Sequence, residues 1–166
     1  MRRILSVVDL VSTWVGKVVS VLTLFVALAI VYEILMRYAF SKPTVWASES
    51  TVFACGLVYL LGGAWTLLED KHVRIDTLYA KVSPRGRAAL DCFTYLFFAL
   101  YIAVMLHATA IYAYESVALR ETTMTPWDPP IYPMKVAMAV ALALLLMQGT
   151  ARFIRNLYFL IAGKAP

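Results

Sequence analysis

The chain of 166 residues is 62% hydrophobic and only 15% charged, with a formal net charge of +5. Soluble domains are about 45–50% apolar and about 25% charged, so a compact water-soluble fold could not hide this much apolar surface, and the same composition excludes disorder. A membrane protein remains, and at about 20 residues per helical span four spans occupy roughly half of the chain, leaving no room for a catalytic or nucleotide-binding domain.

In residues 1–17, Ile4, Val7, Val8, Val11, Trp14 and Val15 recur at helical spacing, with Ser6, Asp9, Ser12, Thr13 and Gly16 mostly opposite. This pattern predicts an amphipathic helix that lies on the cytosolic interface and then turns into the bilayer. A cleaved signal peptide is the competing reading, with Arg2 and Arg3 as its charged start. Asp9 interrupts its apolar core, and the Ala-x-Ala at Ala27–Ala29 lies inside a longer hydrophobic run, which speaks against cleavage.

The first span is Val18–Met36, broken by Glu33 alone. Pro43 then interrupts the chain, and Thr44 is placed to cap the helix that carries the second span, Ser50–Leu68. Asp76 is placed to cap a short helix through Tyr79 and Val82. Ser83 and Pro84 combine a capping hydroxyl with a proline suited to the first helical position, so the third helix starts ahead of its span, Cys92–Tyr114. Pro126, Pro129, Pro130 and Pro133 cannot continue a helix and should form a stiff connector. The fourth span is Val136–Ala151, lengthened to about Ile131 if Lys135 snorkels its ammonium to the interface, and residues 152–166 form a tail. Apolar residues run continuously rather than alternating, which selects helices over a barrel. The expected fold class is therefore an all-α integral membrane protein, a single domain with four transmembrane helices and an N-terminal interfacial amphipathic helix.

Basic residues give the orientation. Arg2, Arg3 and Lys17 precede the first span; Lys71, Arg74, Lys81, Arg85 and Arg87 lie between the second and third; Arg152, Arg155 and Lys164 follow the fourth. These segments share one side and hold eleven of the fifteen Lys and Arg residues. The positive-inside rule then makes both termini cytoplasmic. The charge balance is a topology signal plus attraction to anionic membrane lipid, and no nucleic acid partner is implied.

Few residues invite chemistry. Cys55 and Cys92 are too few and too far apart in depth for a disulfide framework and read as reduced packing residues. No paired-Cys motif, phosphate loop, nucleophile elbow or zinc-protease motif occurs, so neither an enzyme, a metal site nor a cofactor is expected. His107 on an apolar helix invites a haem reading, but His72 lies in a loop at another depth, which favours a hydrogen-bonded packing histidine. Glu33 and Arg37 are four apart in the favourable order for a helical ion pair. Glu33 could instead carry a proton or cation; its place near the outer interface favours a rim pair, shared with Glu49 across the outer hairpin. Trp46 suits an interfacial belt, and Glu49 complements the N-terminal helix dipole. Gly56, Gly62, Gly63 and Ala64 make one small-residue surface, and Ala137, Ala139, Ala141 and Ala143 another, for close packing within the chain or with a partner.

Taken in order, Glu33-Ile34-Leu35-Met36-Arg37-Tyr38, Trp46-Ala47-Ser48-Glu49, Leu61-Gly62-Gly63-Ala64 and Glu69-Asp70-Lys71-His72-Val73-Arg74-Ile75-Asp76 form a constellation. Within a four-span chain it resembles the small membrane subunit of tripartite ATP-independent periplasmic (TRAP) transporters. The proline-rich loop and fourth span match only in general character. The resemblance implies a bacterial inner-membrane complex in which a periplasmic solute-binding protein delivers a solute, often a carboxylate, to a large membrane subunit. That large subunit would carry the substrate and sodium sites, and the small one would pack against its scaffold, with uptake driven by an ion gradient. It also assigns His72, Arg74 and Asp76 to the turn after the second span and Trp46 and Glu49 to its entrance, none as a substrate ligand. A moving carrier generally brings broken helices and internal repeats, and neither is evident here. The rival readings are a small proton-coupled multidrug exporter, a membrane anchor of a redox complex, and a structural tetraspan.

Overall fold

A computed structural model describes residues 2–73 and 82–163. Its helices are α1 (Arg2–Ile34), continued by a π-helical turn at Leu35–Ala39, α2 (Val45–Leu68), α3 (Pro84–Leu119) and α4 (Tyr132–Ala162). All four are long and apolar enough to cross a membrane. The helix suggested after Asp76 lies outside the described residues. Across the layer the order is α1, α2, α4, α3: α1 packs on α2, α2 on α4 and α4 on α3, with a smaller contact between α1 and α4.

The interior is small and the exterior large. Ala47, Ala54, Ala64, Ala113, Ala141 and Ala151 are buried, whereas Trp14, Val21, Leu24, Leu28, Leu96 and Leu100 point outward. Water would punish this arrangement, but lipid does not: helices there associate by close backbone approach, while bulky side chains meet acyl chains. Two glycines missed in the sequence set the closest approaches. A Cβ on Gly16 would lie 2.5 Å from the Trp65 ring, and one on Gly149 2.5 Å from Phe98. Of the small-residue surfaces expected, Gly62 meets nothing within 4 Å and leaves open space. Tyr95 stacks on Phe153 at 4.5 Å and shares a 2.7 Å hydrogen bond with Thr150, which fixes α3 on α4.

Several local expectations are met and others corrected. Ser83 accepts from Gly86 N at 3.3 Å, with Pro84 opening α3, as the capping pattern predicts. The connector closes on itself: Thr123 N donates to Pro129 O at 3.1 Å and Ile131 N to Glu121 O at 3.0 Å. Thr44 occupies the N-cap position of α2, but its hydroxyl makes no cap bond because Glu33 takes it. No break in α1 marks the expected turn near Lys17. Asp9, Ser12 and Gly16 of its first half's polar stripe face the protein, where α4 supplies partners for Asp9 and Ser12, while Ser6 is exposed.

Candidate functional site

At one end of the layer, α1, the π-helical turn and the start of α2 enclose Glu33. Its Oε1 accepts from Arg37 at 2.7 and 3.1 Å, and its Oε2 accepts from the Thr44 backbone N–H at 3.0 Å and from the Thr44 hydroxyl. The carboxylate therefore bridges the helix end and the hairpin that follows. The widened turn, closed by Phe40 N to Leu35 O at 3.3 Å and Lys42 N to Met36 O at 2.9 Å, lets the chain reverse within a few residues. Ile30, Glu33, Arg37, Tyr38, Ser48 and Thr51 border a shallow hollow of about 320 Å³. Trp46 leans on Tyr32 with ring centroids 5.4 Å apart.

Glu49 does not share the Glu33 pair. It lies in the second turn of α2 and accepts from the Thr123 hydroxyl of the connector at 3.5 Å. Next to it stands a pair that sequence reasoning missed. Lys135, only 8% exposed, donates to Glu121 at 2.5 Å, and its ammonium lies 3.8 Å from the centroid of the Tyr112 ring. Ser116 donates to the same Glu121 oxygen at 2.7 Å. A carboxylate and an aromatic face thus hold the Lys135 ammonium at the connector end of α4. The ammonium and the hydroxyl together hold the Glu121 carboxyl below the ordinary carboxylate value of 4.5. A depressed acid contributes its full stabilisation above that value and loses it as pH falls through the lowered one. The connector should accordingly stay docked from neutral pH down to about 4.5 and loosen below it, an onset that Lys135→Met should abolish. Proteolysis of the 120–131 connector as a function of pH measures this.

The opposite end carries a second network, also missed. Ser12, 1% exposed, donates to Gln148 at 2.9 Å; Gln148, equally buried, donates to Asp9 at 3.1 Å; and Arg155 donates to the other Asp9 oxygen at 2.5 Å. Arg152 meets Asp70 at 2.6 Å and Asp91 at 3.6 Å, and Asn156 donates to Asp91 at 3.1 Å. The available signal was the spacing of Gln148, Arg152, Arg155 and Asn156 along one face of α4. His72 is exposed at this end, far from Glu33, while Arg74 and Asp76 lie outside the described residues.

His107 faces outward from α3 and has no hydrogen bond, ion pair or ring contact among the described residues, which corrects the expectation of a hydrogen-bonded packing histidine. Among the described residues no three His, Cys, Asp or Glu gather closely enough to hold a metal. Cys55 and Cys92 are free thiols. Charge is thus concentrated at the two ends of the layer. Residues 18–32, 50–68, 92–114 and 136–151 contain no Asp, Glu, Lys or Arg.

The sequence model for the DctQ component of tripartite ATP-independent periplasmic transporters matches residues 26–158. The chain belongs to the DctQ family. No curated protein and no solved structure matches it. The DctQ match takes in the Glu33 bridge, the connector and α4 through Arg155, whereas Asp9, Ser12 and Gly16 on the first half of α1 precede it. Family and fold together make this a small multi-pass membrane component of a TRAP transporter.

Proposed function

We propose that this DctQ chain is a static scaffold subunit that packs against the large membrane subunit and holds it in the bilayer. A periplasmic binding protein would deliver the solute, an organic acid by the family resemblance, and a sodium gradient would drive uptake through the large subunit. Both termini would be cytoplasmic, a reading supported by the eleven basic residues on that side. The observation that carries this reading is the uncharged middle of all four continuous helices, with ion pairs gathered toward their ends. A carrier needs polar or ionised groups near the bilayer centre to bind solute and coupling ion. The outward His107 adds support, because an imidazole at bilayer depth favours a protein neighbour over acyl chains.

In this account Glu33, Arg37, Trp46, Glu49, His72, Arg74 and Asp76 shape the rims and subunit contacts and touch no substrate. The test is affinity purification of the tagged chain from membranes that express its neighbouring genes. Recovery in fixed ratio with a much larger polytopic subunit is expected. A chain recovered as a homo-oligomer that exchanges protons for drugs, or bound to a haem-bearing redox enzyme, would contradict the assignment.

A further inference from the structure

Between α1 and α2, toward the Lys71 end of α2, lies an open slot of about 460 Å³, bordered by the Gly16–Trp65 contact. Gly62 leaves one side of it bare, Gly63 borders it with its Cβ position against Leu145 at 4.0 Å, and Val19 and Val58 line it with hydrocarbon. Two of the four hydroxyls along it are bonded back to their own helix. Ser20 donates to Lys17 O at 2.7 Å and Thr66 to Gly63 O at 2.9 Å, so each is satisfied by its own helix. An occupant therefore meets a largely apolar trough, in which the Thr23 and Tyr59 hydroxyls and the Trp65 indole N–H have no partner among the described residues.

The mouth is different in kind. Lys71 and His72 border the slot, are exposed, and have no side-chain partner among the described residues. Neither adjacent acid neutralises them there: Glu69 and Asp70 do not line the slot, and Asp70 is engaged by Arg152. A hydrocarbon trough ending at an unpaired cation matches an amphiphile with an apolar tail and a negative head.

We propose that this slot binds an anionic phospholipid, with one acyl chain along Gly62 and Gly63 and its phosphate at Lys71 and His72. The site is a property of this chain alone and stands whether or not the scaffold reading holds. The test uses the purified full chain in neutral detergent, titrated with phosphatidylglycerol or phosphatidylcholine of identical chains and read by native mass spectrometry. A single tight adduct is expected, favouring phosphatidylglycerol by about five-fold, the contribution of one basic residue at a membrane surface.

Changing Lys71→Gln together with His72→Gln should bring the two lipids to parity. Gly62→Leu, which projects into open space and so spares the fold, should remove the adduct with either lipid. Arg85→Gln with Arg87→Gln, basic residues outside the slot, should leave the preference unchanged. Equal binding of both lipids by the native chain, an adduct that survives Gly62→Leu, or a preference that follows Arg85 and Arg87 would each overturn the proposal.

Discussion

Gln148→Leu should lower the stability of the isolated chain by about 2 kcal/mol, an effect far larger than its near-equal volume suggests. Gln148 is the only bridge between Ser12 and Asp9 among the bonds described, accepting from one and donating to the other. Leucine fills the space but leaves a hydroxyl and a carboxylate oxygen without those partners, in a place where Ser12 is 1% exposed. Asp9 retains Arg155, and Ser12 can turn back to a carbonyl of its own helix, which keeps the cost below that of two fully orphaned groups. The double change Ser12→Ala with Gln148→Leu should recover part of the loss, since removing both partners of a buried bond is cheaper than removing one. Denaturant unfolding in micelles measures both variants. Unchanged stability in the single variant would show that lipid headgroups or water already serve these groups.

That network also shows what one-dimensional reading could and could not see. The four spans, the Ser83–Pro84 start of α3 and the proline connector, except Pro133, which the fold takes into the first turn of α4, were legible because each depends on neighbours in sequence: a long apolar run, a hydroxyl before a proline, residues that cannot donate. The cross-helix pairs depend on partners distant in sequence, 146 positions apart for Asp9 and Arg155. In a soluble helix the apolar side announces the core. Here apolar and small faces are both compatible with the interior, so the polar stripe of α1 pointed to water on paper and to α4 in the fold. Counting Arg152 and Arg155 as orientation signals and Lys135 as a snorkelling cation was sound electrostatics but hid their second task as partners of Asp70, Asp91, Asp9 and Glu121.

Glu33 shows the same limit at close range. The four-residue spacing announced its pair with Arg37, yet nothing local marked Thr44 as the second partner. With both carboxylate oxygens engaged, Glu33 joins α1 to the hairpin. A group held by four hydrogen-bond donors is suited to fixing a turn rather than to loading and releasing a cation.

The largest functional effect belongs to the whole subunit. If solute and ion sites lie in the large subunit and this chain only holds its static part, removal should leave solute capture by the binding protein intact and yet abolish uptake. The reason is mechanical: a domain that moves across the bilayer needs a fixed frame to move against, and these four helices supply paired ends and uncharged middles for that frame. Sodium-driven uptake into proteoliposomes, made with the large subunit and binding protein in the presence or absence of this chain, is the most direct measurement. The account predicts uptake with it and only background without it. Full uptake by the large subunit alone, or solute retained by this chain on its own, would contradict it.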